Sequence, residues 1–127
     1  MPAQLNHTIV HAKDKVASAH FLAEILGLAR PRPFGPFMVV DAANGVSLDF
    51  ISASDDEIIV EHYAFLVSEA EFDEIFGRIK ERGLDYYADP ARRAKGQINR
   101  HDGGRGVYWE DPNGHVLEII TRPYGGL

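Results

Sequence analysis

In the segment GHVLEII, residues 114 to 120, a carboxylate, Glu118, interrupts a run made of Val116, Leu117, Ile119 and Ile120. A strand this apolar is expected to be covered on both faces, and an unpaired carboxylate inside it would cost on the order of several kcal/mol. Something must therefore compensate Glu118. Two histidines near the starts of other apolar stretches, His7 in LNHTIV and His62 in EHYAFLV, are candidates to share that task. Two neutral imidazoles and one carboxylate, with coordination positions left open, form a donor set suited to Fe(II) or Mn(II), and one that Zn or Ni can also occupy. A cation held by all three would explain the burial of Glu118. Taken singly, each residue has an ordinary alternative: a histidine at a strand start is commonly exposed or satisfied, and a glutamate can pair with an arginine.

The three residues are linked by an internal repeat. LNHTIVHAKDKVASAHFLAEILGL in the first half and EHYAFLVSEAEFDEIFGRIKERGL in the second follow one plan. A short strand opens with His7 or His62, and Asp14 or Ser68 caps a helix that stops at Gly27 or Gly83. In the second copy Ser68 and Glu71 read as a capping box, and Phe72, Ile75, Phe76 and Ile79 recur at helical spacing. The ends match too, because GVSLDFI at 45 to 51 and GHVLEII at 114 to 120 place Asp49 and Glu118 at equivalent positions. Each half has room for two more strands, near 29 to 42 in the first copy and at 84 to 88 and 105 to 110 in the second, joined by turn-rich segments such as RPRPFGPF and DPNG.

Alternation then sorts the side chains by face. His62 shares a face with Ala64 and Leu66, whereas Tyr63, Phe65 and Val67 form an apolar surface suited to packing under the helix. Glu118 lies with Val116 and Ile120, opposite Leu117 and Ile119. His62 and Glu118 are thus both expected on the side of the sheet away from its helix. The fold class is α+β, two βαβββ modules of about 1–55 and 56–127 forming a cupped mixed sheet in a single domain.

Composition narrows the partners. The net charge of −6 argues against nucleic acid, which needs a surplus of basic side chains over a broad surface. No apolar run approaches the length of a bilayer span. The start MPAQLNHTIV lacks the pattern of a signal peptide and there are no cysteines, so a cytoplasmic protein without thiol chemistry is expected. Arg92, Arg93, Lys95, Arg100 and Arg105 crowd one short segment, either to receive a small anionic ligand or as a solvated loop. Phe34, Phe37 and Trp109 are candidates for an aromatic pocket wall or for ordinary core and surface.

At these residues the chain resembles the vicinal oxygen chelate superfamily, which includes glyoxalases, extradiol dioxygenases, fosfomycin-resistance thiol transferases and bleomycin-resistance proteins. The resemblance runs through LNHTIV with its helix and LGL, EHYAF with its helix, and DPNGHVLE. It implies one divalent metal per site, with His7, His62 and Glu118 as ligands and Asp49 either as a fourth ligand or as an acid behind them. The extradiol dioxygenase signature is similar to Asn99, His101, Val107, Tyr108, Asp111, Pro112, Gly114 and Glu118 as they stand here. That likeness gives Tyr108 and His101 catalytic roles, as hydrogen-bond donors or proton carriers; otherwise Tyr108 packs in the sheet and His101 is a loop residue. Asp49 stands where glyoxalases usually have Glu, and Ile9 where fosfomycin-resistance enzymes have Thr.

The resulting expectation is a metal-dependent enzyme acting on a small substrate with vicinal oxygens, on the pattern of an extradiol dioxygenase. Fe(II) or Mn(II) is favoured over Zn or Ni, and Arg100, Arg105, Trp109 and Phe37 are candidates to contact the substrate. The alternatives are a glyoxalase-type isomerase or thiol transferase, and a metal-free drug-binding protein. Small members of the superfamily form homodimers, so His7 of one chain is a candidate to meet His62 and Glu118 of another.

Overall fold

The computed structural model describes residues 2–126, and the chain divides into two compact units, Met1–Ile59 and Val60–Leu127. The first unit contains β1 (His7–Ala12), α1 (Lys15–Leu26), β2 (Arg32–Phe34), β3 (Phe37–Asp41) and β4 (Ser47–Ser52). Its sheet runs β1-β4-β3-β2, with β1 and β4 parallel and the other pairings antiparallel. Asp14 ends the strand and starts the helix: its carboxylate accepts hydrogen bonds from Val16 N–H and Ala17 N–H, two of the donors a helix start leaves unpaired. At the other end Gly27 takes φ 71°, which a side-chain-bearing residue rarely adopts, and the chain leaves the helix there. Ala19, Leu22, Ala23 and Ile25 of α1 are buried with Val10, Ala12, Val40, Leu48 and Phe50 of the strands, forming the core of this unit.

The second unit contains β5 (His62–Leu66), α2 (Glu69–Glu81), β6 (Gly106–Glu110) and β7 (Val116–Ile120). Its sheet runs β5-β7-β6, with β5 and β7 parallel and β6 and β7 antiparallel. The Ser68 and Glu71 capping box forms as the spacing predicts, and Phe72, Ile75 and Ile79 are buried. Phe76, at the margin of that stripe, stacks edge-on against Tyr86 at 4.9 Å between ring centroids. The hairpin between β6 and β7 is set by Asp111, whose Oδ1 accepts from the N–H groups of both Asn113 and His115.

One expected strand is absent. Residues 84 to 88 make no strand; only Tyr87 bridges, exchanging backbone hydrogen bonds of 2.8 and 2.9 Å with Tyr108. The reason is local. Beyond Tyr87, the Asp89 carboxylate gathers the N–H groups of Arg93 and Ala94 at 2.7 to 3.0 Å, turning the chain at Pro90 before a ladder can extend. The second sheet therefore has three strands where the first has four. No helix among the described residues is long and apolar enough to cross a membrane.

Candidate functional site

The pairing register of the second sheet places Glu118 opposite Ala64 on β5 and opposite Tyr108 on β6, so all three side chains share a face. His62 pairs with Val116 and stands diagonal to Glu118 on that face. The face opposite carries Tyr63, Phe65, Val107, Trp109, Leu117 and Ile119, the set that alternation assigns to the helix side. Trp109, with no exposed surface, therefore stands on the other side of the sheet from Glu118.

Glu118 is 1% exposed, yet both of its oxygens are engaged. Oε1 lies 2.9 Å from His62 Nε2, and Oε2 accepts a hydrogen bond from the Tyr124 hydroxyl. The Tyr108 hydroxyl stands 3.1 Å from that of Tyr124, and the rings of His62 and Tyr108 are 5.8 Å apart. Because Tyr124 commits its proton to the carboxylate, Tyr108 is left to donate to Tyr124, which gives the chain of hydroxyls one direction. Burial pushes the Tyr108 phenol far above its ordinary range, and its hydrogen bonding to Tyr124 and Glu118 adds to this. Tyr124 is raised as well, first by burial and then by the hydrogen bond to Glu118. His101 opens a short 3₁₀ turn, His101–Gly103, with its ring 6.4 Å from that of Tyr124.

Tyr124 is the residue that sequence reasoning overlooks. Pro123 follows the strand end and Gly125 takes φ 79°, so the chain turns at Tyr124, whose hydroxyl meets Glu118. The only hint in the sequence is an aromatic hydroxyl six positions after the carboxylate, in a segment TRPYGGL made to turn. Asn99 supports the same corner. It exchanges backbone hydrogen bonds with Gly106, and its side-chain amide donates to the Ala88 carbonyl. A Cβ on Gly106 would come within 2.9 Å of the Asn99 side chain, which explains the glycine.

The first sheet carries a parallel arrangement. His7 pairs with Ser47 and Ile9 with Asp49, so His7 and Asp49 stand in the same diagonal relation as His62 and Glu118. Their partners differ: His7 Nδ1 lies 2.8 Å from Asn6 Oδ1, and Asp49 Oδ1 accepts from the Ser47 hydroxyl at 2.8 Å. His7 is exposed and Asp49 is buried.

Of the basic cluster, Arg105 is occupied within the second unit, paired to Glu69 at 2.8 Å and Asp73 at 2.9 Å with its guanidinium 4.2 Å over the Phe72 ring. Arg92 pairs with Glu110 and Lys95 with Asp85. Arg100 is exposed and has no ion pair among the described residues. Phe37 is half-buried on β3 of the first unit, and Phe34 is exposed on β2.

The fit of a metal rests on the His62–Glu118 pair. Two donors at about 2.0–2.2 Å from one ion and roughly at right angles stand about 3 Å apart, so the 2.9 Å between Nε2 and Oε1 suits adjacent ligands as well as a hydrogen bond. The His62 side chain is 46% exposed, leaving an open approach beside a buried carboxylate. The second unit thus brings together two donors of the expected triad, and no group of three or more His, Cys, Asp or Glu side chains placed for a metal occurs among the described residues.

Comparison with known proteins places this geometry. No family model matches the chain. It is 67% identical to the solved structure of "Oxidase ChaP-H1", over 98% of this chain and 100% of that one, with a TM-score of 0.95. A glyoxalase/dioxygenase from Nostoc punctiforme, 23% identical, covers 94% of this chain and 91% of its own with a TM-score of 0.70, and shares the fold. The metallothiol transferase FosB of Shouchella clausii is 33% identical over 60 residues, 47% of this chain; the chain matches 37% of that transferase's length. The paired strand–helix–strand units, their matching registers and these relatives together lead to one conclusion: the chain belongs to the vicinal oxygen chelate superfamily.

Proposed function

We propose that the protein is a divalent-metal-dependent oxidase or oxygenase acting on a small substrate that presents two adjacent oxygens. The observation that carries this reading is the convergence of His62 Nε2 and the buried Glu118 Oε1 in a chain two-thirds identical to a named oxidase. His62 and Glu118 are the two ligands supplied by the second unit, and His7 is the third, with Asp49 as a fourth ligand or as an acid behind the others. Fe(II) or Mn(II) suits two imidazoles and a carboxylate best, with Zn or Ni next. When bound, such an ion supplies Lewis acidity and a template for the two substrate oxygens.

The remaining roles belong to the chain itself. Tyr108, kept neutral by burial, holds its proton on the phenol oxygen at ordinary pH and so acts as a donor toward Tyr124 or a bound oxygen atom. His101, with its ring 6.4 Å from that of Tyr124, offers an imidazole whose nitrogens can donate or accept a hydrogen bond. Arg100 has a guanidinium free to receive an anionic substituent, whereas Arg105 is spent on Glu69 and Asp73. Trp109, fully buried on the face opposite Glu118, packs in the core and is not a substrate contact, whereas Phe37 remains a candidate from the first unit. The active form is a homodimer in which His7 of one chain completes the donor set of the other.

The test is metal content on untagged protein purified without oxygen, beside His62→Ala, followed by oxygen uptake with catechols. Near-stoichiometric iron or manganese, lost in the variant, together with substrate-dependent oxygen uptake is the expected result. The match to a metallothiol transferase favours one second reading, redox-neutral thiol transfer or isomerisation. Zn or Ni content with activity indifferent to oxygen would select it. Protein that takes up no metal even after reconstitution would sink both and leave a ligand-binding protein.

A further inference from the structure

The C-terminal turn does more than close the second unit. A carboxylate has two oxygens and about four acceptor positions, and a glutamate free to rotate can offer a cation either one oxygen or both. Glu118 has no such freedom. It is 1% exposed, its Oε1 faces His62, and its Oε2 is taken by the Tyr124 hydroxyl. Tyr124 is itself held from two sides. Its oxygen stands 3.1 Å from the Tyr108 hydroxyl, and the next residue, Gly125, donates its N–H to Asp102 Oδ2 at 3.2 Å. Tyr108 cannot drift, because β7 flanks it on one side and the Tyr87 bridge on the other.

We propose that Tyr124 is a positioning residue that restricts Glu118 to one available oxygen, Oε1, presented beside His62 Nε2. The inference rests on the metal-centre reading above and concerns how many donor atoms Glu118 contributes. Tyr124 sits outside the ligand set, on a turn whose side chain is 42% exposed, so its hydroxyl can be removed without opening the core. Partners of this kind that orient a ligand typically change metal affinity about 10–100-fold when lost.

The experiment loads the full-length protein with Co(II) and follows affinity by competition with a chelator and coordination by the visible d–d band, whose intensity falls as coordination number rises. Wild type, Tyr124→Phe, Tyr108→Phe and His62→Ala are compared, with metal-free thermal melting of each as a check on folding. Expected for Tyr124→Phe is a cooperative metal-free melt lowered to a degree comparable with that of His62→Ala, since each removes one partner of the buried carboxylate, and a weaker, shifted band at saturating Co(II) as the freed Oε2 joins the ion. Affinity should also change by about 10-fold or more. Tyr108→Phe should change the band less, since it removes only the group behind Tyr124. An unchanged band in Tyr124→Phe at saturation overturns this inference and leaves the metal centre standing. Wild type that binds no Co(II), or binds it equally well after His62→Ala, overturns the metal centre and this inference with it.

Discussion

Glu118 and His62 are unequal partners, and the inequality predicts an asymmetry. Glu118 is enclosed, whereas the His62 side chain is 46% exposed and can be hydrated when alone. Without metal, His62→Ala removes one of two groups satisfying a buried carboxylate and should cost about 1–3 kcal/mol in urea unfolding at neutral pH. Glu118→Gln leaves behind only a solvated imidazole and should cost less, while abolishing metal binding. A second prediction concerns the phenols. Tyr108 and Tyr124 have folded-state pKa values raised by burial, so the stability they contribute is complete below the ordinary tyrosine value of about 10. It is lost as pH rises through the raised values, because the unfolded chain ionises first. Urea midpoints between pH 9 and 11 should fall more steeply for wild type than for Tyr108→Phe. At this scale the sequence discloses Glu118 well, since a carboxylate among Val116, Leu117, Ile119 and Ile120 is conspicuous. It hides Tyr124, whose role depends on the φ of Gly125, and it hides the engagement of Arg105 with Glu69 and Asp73, which lie more than thirty residues away in sequence.

Among the elements, the helices are the most legible because their signals are local. Asp14 and Ser68 cap where the pattern places them, and the stripe of Phe72, Ile75 and Ile79 turns inward. Ser68→Ala should cost about 1 kcal/mol by denaturation, through loss of the bond to Glu71 N–H. Glu71 is held below the ordinary carboxylate range by the Ser68 N–H and hydroxyl, so its contribution is present above about pH 4.3 and fades as pH falls through the lowered value. The wild-type advantage over Ser68→Ala should therefore shrink in acid. Strand faces are equally readable, since period-two alternation predicts which side His62 and Glu118 occupy. The segment 84 to 88 is not, because its strand-like composition is overruled by a carboxylate, Asp89, bonding to backbone N–H groups four and five positions ahead. Gly106→Ala should be poorly tolerated for a reason no local pattern contains: the new methyl meets the Asn99 side chain at 2.9 Å, and the corner beside Tyr108 must shift. Heteronuclear NMR of that variant should show its shift changes centred on Asn99 and Tyr108.

For the whole molecule, the proposed sharing of sites between chains makes a quantitative prediction. His7→Ala and His62→Ala proteins should each bind no metal, yet an equilibrated mixture should regain about a quarter of the wild-type sites, because half of the dimers are mixed and one site in each is intact. Recovery of none would place all ligands within one chain. Chelation should lower the melting temperature, since an ion present at about 100 times its dissociation constant adds about 2.7 kcal/mol to the folded state. The repeat that organises both halves is plain in the sequence at His7 and His62 and at Asp49 and Glu118, and the matching registers of β1 with β4 and β5 with β7 are its physical form. The halves diverge where the first keeps a fourth strand and the second has only Tyr87. In mechanical terms, that asymmetry divides the second unit into a laddered part and a tethered part. The strands fix the donor positions through their ladders, while residues 88 to 104 carry few ladder bonds and are tethered to the sheet at Tyr87 and Asn99. Opening of that stretch should therefore cost less than separating β5, β7 and β6, and its backbone amides should exchange with solvent sooner than those of the sheet.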